Sequence, residues 1–376
     1  MSIPFINLKK QYLDNKNNID QAIHKVLDHG QYIMGPEVSE LEEQLASFVG
    51  VKHALCCSSG TDALLLPLLT KNLNKSDAIF TTPFTFFASA EAISLAGGTP
   101  VFVDIDPKTY NMDPLCLERT IKETIVKGEL TPKGVMPVDL FGLPADYDYI
   151  NSIAENFGLF VIEDCAQAFA ADHKGKKACN LAETAATSFY PAKPLGCYGD
   201  GGAVFTNNTE LYHEILSLRV HGQAVSGDKY DNTRIGLNAR MDTIQAAILL
   251  EKLKVYPQEI VKRNLIAETY TTNLKEHVIT PYIPDDLGSV WAQYSIQVSD
   301  REKLKSDLTN AGIPSAVFYP TPIHLSEAYK HLNYNEGDFP VSERVSKRII
   351  SLPMHPYLEL FEVKHIINTV IASVAK

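Results

Sequence analysis

The chain has 376 residues, of which 45% are hydrophobic and 21% charged, and 45 acidic against 34 basic residues give a net charge of −11. This composition is that of a globular protein and excludes a disordered or collagen-like chain. The negative charge argues against a nucleic-acid partner, which favours a basic surface, but it is compatible with a local cationic pocket for a small phosphorylated molecule.

Neither a membrane span nor a targeting segment is indicated. The densest apolar run, ALLLPLL at residues 63–69, is far shorter than the ~20 residues that cross a bilayer. The N-terminus, MSIPFINLKK, lacks the apolar core of a signal peptide. The cysteines show neither a CxxC pair nor zinc-ligand spacing. We therefore expect a cytoplasmic protein with free thiols, no metal site and no membrane partner.

The first two thirds of the chain alternate helical patterns with short apolar runs. An amphipathic helix is predicted over 37–50, with Gly50 as its C-cap. Short runs rich in Val, Ile or Phe follow at 78–80, 100–106, 134–140, 159–164 and 202–206. Buried strands separated by helices predict an α/β fold with a mostly parallel sheet covered on both faces.

Four of these runs end in acidic or small polar side chains. In open α/β sheets, ligands bind outside the carboxyl ends of the strands, so a polar cluster is expected there. Its candidate members are Asp104, Asp106, Asp139, Glu163, Asp164 and Thr206.

The pattern changes after residue 240. A helix is predicted over 241–254, interrupted near Pro257 and resumed over 259–274. An alternating strand at 292–298 and helices at 301–311 and 341–350 follow. We predict a large α/β domain over 1–250, with a helical N-terminal segment, and a smaller C-terminal α+β domain over 251–376.

The most informative stretch is TSFYPAKPLGCYGDGGAVFT, at 187–206. Pro191 and Pro194 flank Lys193 and exclude a regular helix, which fixes the lysine in a loop. A rigidly held lysine in a largely uncharged loop is a candidate for a lowered pKa and imine chemistry. The loop alone is equally compatible with an ordinary surface lysine.

Asp164 ends the apolar run LFVIE, so its carboxylate is expected at the mouth of a strand, partly buried and in need of a partner. A pyridine nitrogen kept protonated by an aspartate is what a pyridoxal 5′-phosphate (PLP) enzyme requires. The alternative is a structural carboxylate that caps a helix.

A third motif is CCSSGTDAL, at 56–64. Ser59, Gly60 and Thr61 precede an apolar helix, and free amides at a helix N-terminus can hold a phosphate. The same residue types are also ordinary N-caps.

With these motifs in order, the chain resembles the DegT/DnrJ/StrS-type sugar-nucleotide aminotransferases, which are fold-type-I PLP enzymes. The resemblance runs nearly from end to end. It is carried by SSGTDAL, TTPFTFFASAEAI, PVFVDIDPKTYNMDP, PVDLFGLPADYD, VIEDCAQAF, TSFYPAKPLGCYGDGGA, RVHGQ, GLNARMDTIQAAIL, SVWAQY and GIPSAVFYPTPIH.

The resemblance implies a cofactor site for PLP. Lys193 would be the Schiff-base lysine and proton shuttle, and Asp164 the partner of the pyridine nitrogen. Gln167 would lie near the phenolic oxygen of the ring. Phe86, otherwise a plain core residue, would stack on the ring. The phosphate would be held by Gly60, Thr61 and Ser188.

The resemblance also implies a homodimer with a shared active site. Asn238 would reach the cofactor phosphate of the partner subunit, and Arg240 would cross the same interface. Tyr319 and His324 would border the sugar site. Without the resemblance, Arg240 would be interpreted as a surface arginine at an interface, and His324 as an ordinary loop histidine.

The phrases HGQYIMGPEVSELE, KPLGCYGDGGA and SVWAQY look most like the subgroup that aminates carbon 3 of UDP-2-acetamido-2-deoxy-3-keto-glucuronate. In that subgroup Arg240 and His324 would neutralise the sugar carboxylate. The chain departs from the family pattern at Ala168, Phe169 and Ala192, where small polar residues are frequent.

The expected function is therefore transfer of an amino group from L-glutamate to a keto-sugar nucleotide, for the amino sugars of a surface polysaccharide. An alternative is a different NDP-keto-hexose, a 3- or 4-keto-6-deoxy sugar. Dehydratase relatives carry histidine in place of the lysine, so Lys193 argues against that activity. A non-catalytic regulator on the same fold would not need Lys193 and Asp164 together.

Overall fold

The computed structural model describes residues 3–224, 228 and 230–375. Within these residues seven strands form one mostly parallel sheet with helices on both faces, so the predicted α/β fold is confirmed.

The chain alternates strands and helices over most of its length. The strands are β1 His53–Cys57, β2 Asp77–Thr81, β3 Thr99–Phe102, β4 Thr131–Val135, β5 Phe160–Asp164, β6 Asp172–His173, β7 Lys176–Lys177, β8 Thr184–Ser188, β9 Gly202–Thr206, β10 Tyr294–Gln297 and β11 Ile349–Leu352. The helices are α1 Leu8–His29, α2 Pro36–Val49, α3 Gly60–Leu69, α4 Ala88–Leu95, α5 Pro114–Lys127, α6 Tyr147–Phe157, α7 Thr209–Arg219, α8 Thr243–Leu274, α9 Arg301–Asn310, α10 Pro340–Arg348 and α11 Leu360–Val374. Short 3-10 helices cover Leu140–Gly142, Ile323–Leu325 and Glu327–Leu332.

The large sheet has the strand order β1-β9-β8-β5-β4-β2-β3. Strand β9 runs antiparallel to both of its neighbours, and the remaining strands run in one direction. The carboxyl ends of β1, β5 and β8 therefore meet at one edge, where Gly202, the first residue of β9, pairs with both Cys57 and Ser188.

The direction of β9 corrects one expectation from the sequence. Thr206 ends β9 and pairs with His53 and Thr184, the first residues of their strands, so it lies at the opposite edge from Asp164. Asp104 has a structural role, because its carboxylate accepts hydrogen bonds from the backbone N–H groups of Val341 and Ser342 near the start of α10.

Strand boundaries also differ from two of the predicted runs. The run predicted at 100–106 forms β3 only as far as Phe102. The run predicted at 134–140 forms β4 three residues earlier, and beyond Val135 it makes one isolated pairing between Val138 and Asp164. This pairing brings the segment that follows β4 alongside the end of β5.

Helix ends follow from local chemistry. Helix α2 begins at Pro36 and ends at Val49, and Gly50, whose φ of 82° is left-handed, is its C-cap as predicted. Helix α3 is capped by Ser59, whose side chain accepts a hydrogen bond from the Asp62 N–H.

The predicted interruption at Pro257 is wrong, because α8 runs through this residue as one helix of 32 residues. Proline removes one helical hydrogen bond, but Pro257 lies on the exposed face. The opposite face is buried at Lys252, Tyr256 and Arg263 and packs against α1 and α2, which holds both halves in line.

The C-terminal segments build a separate hydrophobic cluster around the antiparallel pair β10–β11, with contributions from α8, α9 and α11. The division of the chain into 1–250 and 251–376 stays a prediction, and α8 spans the position where it falls. None of the described helices has the length and apolar character needed to cross a membrane.

Candidate active site

Lys193 lies in the loop that joins β8 and β9, at the shared edge of the sheet. Its backbone N–H donates to the Tyr190 carbonyl at 2.8 Å. Gly196 packs directly against the start of this loop. A Cβ there would lie 2.5 Å from the Tyr190 carbonyl oxygen and 2.7 Å from that of Pro191, so a side chain has no room. The Gly196 carbonyl in turn accepts a hydrogen bond from Lys252 Nζ on α8. Burial lowers the pKa of the Lys193 ammonium to about 8, and the Asp164 carboxylate offsets part of that shift.

Asp164, the last residue of β5, is only 3% exposed. Its Oδ2 accepts a hydrogen bond from Ser89 Oγ at 2.7 Å, and its Oδ1 accepts one from the Ala166 N–H at 3.2 Å. Burial raises the pKa of Asp164, while these hydrogen bonds and the charge of Lys193 lower it. Asp164 ends β5, and Lys193 follows the neighbouring strand β8, which pairs with β5 in parallel, so the two predicted site residues lie at the same edge of the sheet.

Gln167, Tyr319 and Phe86 form the next layer. Gln167 Oε1 accepts a hydrogen bond from the Phe141 N–H at 2.8 Å, and its Nε2 donates to the Tyr319 hydroxyl at 3.1 Å. Burial raises the pKa of Tyr319, and the charge of Asp164 adds to that rise. The ring of Phe86 is 6.4 Å from that of Tyr319 and 58% exposed, so it is free to contact a planar ligand.

The N-terminus of α3 meets the end of β8 closely. A Cβ on Gly60 would lie 2.5 Å from Ser188 Cβ and 2.9 Å from Ser188 Oγ. The half-buried Thr61 follows in the first turn. A helix N-terminus bordered by hydroxyl groups suits a phosphate. Nearby, the carboxylate of Asp62 accepts a hydrogen bond from Ser59 Oγ at 3.0 Å.

Asn238 and Arg240 lie beside this helix start. They line a pocket of about 550 Å³ together with Ser58 and Ser59, and the Ser58 N–H donates to the Ala239 carbonyl at 3.1 Å. Asn238 is exposed. Within the part of the chain that the structure describes, the half-buried Arg240 has no side-chain partner, and its Nε is buried without a hydrogen bond. The prediction that both residues serve the partner subunit's site stays a prediction.

His324 is not brought into contact with these groups. It is 1% exposed, its Nε2 lies 3.1 Å from Glu343 Oε1, and its ring packs edge-on against Phe339. Burial lowers the pKa of His324, and Glu343 opposes that shift. Its Nδ1 is buried without a partner, so any contact with a sugar would have to use that nitrogen. The role predicted for His324 at the sugar site stays a prediction.

A second acidic pair lies on the other side of the Asp164 backbone. Asp139 and Glu163 are fully buried, and their carboxylate oxygens and the Cys165 sulfur lie within 4.8 Å of one another. Both oxygens of Glu163 are satisfied by the N–H groups of Cys179 and Leu181, at 2.6 and 3.0 Å. Burial raises the pKa of both carboxyls, and the neighbouring Glu163 adds to the rise for Asp139. This arrangement suits a pair that shares a proton better than a metal site.

Sequence reasoning missed two residues that hold the site. Lys252 follows Leu249 by three positions and precedes Tyr256 by four. This helical spacing places it on the buried face of α8, so its burial could have been predicted from the sequence. Ser89 gave none, because a serine in the first turn of a helix is common.

These residues fit PLP. A buried carboxylate beside a lysine of lowered pKa can partner the pyridine nitrogen and the aldehyde. A glycine with no room for a Cβ, at a helix N-terminus, suits the phosphate.

Comparison with known proteins agrees with this chemistry. Residues 13–371 match the DegT/DnrJ/EryC1/StrS aminotransferase family. The chain is 46% identical to the UDP-2-acetamido-2-deoxy-3-oxo-D-glucuronate aminotransferase of Pseudomonas aeruginosa, over 96% of this chain and 98% of that protein.

Solved structures agree as well. A DegT/DnrJ/EryC1/StrS aminotransferase from Brucella abortus superposes with a TM-score of 0.96 at 47% identity, over 100% of both chains. NtdA from Bacillus subtilis, with bound cofactor PMP, superposes with a TM-score of 0.91 at 28% identity, over 100% of this chain and 86% of that one. The resemblance inferred from the motifs is confirmed: this chain belongs to the DegT/DnrJ/EryC1/StrS aminotransferase family and is a PLP-dependent sugar aminotransferase.

Proposed function

We propose that this enzyme transfers the amino group of L-glutamate to carbon 3 of UDP-2-acetamido-2-deoxy-3-keto-glucuronate, for surface-polysaccharide biosynthesis. The observation that carries the proposal is the placement of Asp164, at the end of β5, and Lys193, in the loop after the neighbouring β8, at the same carboxyl edge of the sheet. The choice of acceptor is supported by the 46% identity to an aminotransferase that is named for this sugar.

PLP, when bound, supplies an aldehyde and a conjugated ring that draws electrons away from the reacting carbon. Asp164 keeps a proton on the pyridine nitrogen, which makes the ring a better electron acceptor. Lys193 would hold the cofactor through its aldehyde. Its Nζ, when free, would remove the proton from the α-carbon of glutamate. With a pKa lowered to about 8, part of the Lys193 population is neutral near neutral pH and able to act as this base.

The same lysine works in the second half of the reaction, in which the keto sugar takes up the amino group and Nζ delivers a proton to carbon 3. Gln167 offers an amide beside the phenolic oxygen, in an orientation fixed by Phe141 and Tyr319. Gly60, Thr61 and Ser188 would bind the phosphate and so hold the cofactor in one position for the reaction.

Arg240 is the residue we propose for recognition of the sugar carboxylate. Its guanidinium lines an open pocket that Asp200 and Asp242 also line, and among the described residues no carboxylate forms an ion pair with it. A planar guanidinium binds a carboxylate with two parallel hydrogen bonds.

The assembly proposed is a homodimer in the cytoplasm. Ile33 lines the Arg240 pocket and is 49% exposed, and Tyr190, beside Lys193, is 54% exposed. Large apolar side chains exposed around a site suit a surface that a second copy covers. The six cysteines are free, as suits a reducing compartment.

The test is an assay of glutamate with a panel of keto-sugar nucleotides that differ in the carboxylate at carbon 6 and in the position of the keto group. We expect the 3-keto uronate to react best. Arg240→Ala should lower kcat/KM for the uronate by about 10- to 100-fold, the worth of a charge-assisted hydrogen bond, and affect a neutral sugar far less.

Arg234→Ala is the matched control, because Arg234 is exposed and paired with Glu214 at 3.0 Å. Equal losses on uronic and neutral sugars in Arg240→Ala would remove the basis for the uronate. A preference for a 4-keto or 6-deoxy sugar would favour the alternative acceptor.

A further inference from the structure

Asp164 is supported from α4 and the loop before it, elements separate from the strand that carries it. Ser89, in the first turn of α4, donates from Oγ to Asp164 Oδ2 at 2.7 Å. Ser89 Oγ also lies 3.0 Å from the hydroxyl oxygen of Thr85, in the loop before α4. Thr85, Ser89 and Asp164 are 3%, 1% and 3% exposed, so the three groups form a buried chain of hydrogen bonds.

The direction of this chain follows from donor counting. An ionised carboxylate only accepts hydrogen bonds, so the Ser89 hydroxyl donates its single hydrogen bond to Asp164. Thr85 must then donate to Ser89. Both hydroxyls therefore point their protons toward Asp164 while it is charged.

The chain acts on the charge of Asp164. Burial by itself favours the neutral acid, and a neutral acid cannot balance a proton on a pyridine nitrogen. Among the groups that lower the pKa of Asp164, the Ser89 hydroxyl acts most strongly, ahead of the Ala166 N–H and the charge of Lys193. A donor that is itself polarised by a second hydroxyl is strengthened further.

We propose that Ser89 and Thr85 are positioning residues that keep Asp164 ionised and fixed in place, so that it can hold a proton on the pyridine nitrogen of PLP. The inference rests on the proposed function, because it assigns Asp164 to that nitrogen. Ser89 acts through Asp164, and Thr85 acts through Ser89.

The test compares two ligands of the apo enzyme: PLP and 1-deazapyridoxal phosphate, in which a C–H group replaces the ring nitrogen. Ser89→Ala should weaken PLP binding by about tenfold or more, the usual worth of one hydrogen bond to a charged group. It should leave binding of the deaza ligand within twofold of wild type. Thr85→Val, which keeps the shape of the side chain, should give a smaller loss with the same selectivity.

Ser94→Ala is the matched control, because Ser94 lies on the same helix, is exposed and contacts Tyr329 instead. It should change neither affinity. Ser89→Thr retains a hydroxyl and should restore PLP binding toward the wild-type value. Infrared titration of the apo enzyme, with the carboxyl band assigned by Asp164→Asn, should show protonated Asp164 persisting to higher pH in Ser89→Ala.

Equal losses for PLP and the deaza ligand in Ser89→Ala would reveal a merely structural role and overturn the proposal, as would unchanged PLP binding. If Ser89→Ala does not fold, Thr85→Val decides by the same comparison. A wild-type enzyme that binds neither ligand would instead contradict the proposed function, so the two failures are distinguishable.

Discussion

Replacing Gly60 by alanine should weaken cofactor binding, because the first residue of α3 has no room for a side chain. The added Cβ would lie 2.5 Å from Ser188 Cβ, 2.9 Å from Ser188 Oγ and 3.2 Å from Ser188 Cα. Carbon atoms in favourable contact are ~3.5–4.0 Å apart, so the helix start and the end of β8 must separate by about 1 Å. These are the two segments proposed to hold the phosphate.

The cost of such overpacking is typically about 1–3 kcal/mol, which corresponds to roughly a five- to 150-fold change in a binding constant. We expect the dissociation constant of PLP for apo Gly60→Ala to rise by a factor in that range. Absorbance titration of the apo enzyme measures it, with thermal unfolding recorded in parallel to verify that the variant is folded.

Gly98→Ala is the control for adding a methyl group to a glycine of ordinary φ. Its Cβ would lie 3.2 Å from Leu73 Cδ1, away from the site, so PLP affinity should stay within twofold of wild type. The double variant Gly60→Ala/Ser188→Gly removes the two closest atoms and should recover the thermal stability lost in Gly60→Ala, while PLP affinity stays low because the Ser188 hydroxyl is gone. Unchanged affinity in Gly60→Ala would refute the steric reasoning.

Three further predictions concern titration and assembly. The free amine of Lys193 in the apo enzyme should be acylated half-maximally near pH 8, because burial lowers its pKa to about 8; labelling followed by peptide mass spectrometry measures this, and a midpoint near the ordinary 10.5 would contradict the burial. Burial raises the pKa of both Asp139 and Glu163 in the folded state, so wild-type stability should fall as the pH rises from about 4 through the raised values. Asp139→Asn should flatten that dependence in thermal unfolding, whereas Asp148→Asn, at an exposed ion pair with Lys174, should not. Mixed dimers of Lys193→Ala and Asn238→Ala subunits should regain activity, because one of their two shared sites carries neither change; no rescue in verified heterodimers would refute the shared site.

The parts of the site that were predicted from the sequence have local signals. The prolines around Lys193 and the apolar strand before Asp164 each define a backbone position within a few residues. Strand order then brings both positions to one edge of the sheet, since parallel strands end on the same side.

The supporting contacts could not be predicted, because they join residues far apart in the chain. The Ser89 hydroxyl meets a carboxylate 75 residues away, and Lys252 meets a carbonyl 56 residues away. The sequence around each residue contains no pattern that identifies its distant partner.

Two fold predictions failed where tertiary packing outweighed a local rule. Pro257 favours a helix break, but it lies on the exposed face of a helix whose other face is buried throughout. Thr206 was expected beside the acidic residues because its run resembles the others, but β8 and β9 are consecutive strands that pair antiparallel. The glycine-rich lysine loop reverses the chain between them.

A covalent bond between Lys193 and the aldehyde of PLP is the chemical requirement on which the proposed function depends most directly. Protein supplied with PLP, reduced with borohydride and digested should give one phosphopyridoxyl-modified peptide, carrying the group on Lys193. Lys252 is the internal control, because burial also lowers its pKa to about 8 while its Nζ is occupied by the Gly196 carbonyl. Modification of Lys252 instead of Lys193, or no modified peptide, would contradict the assignment.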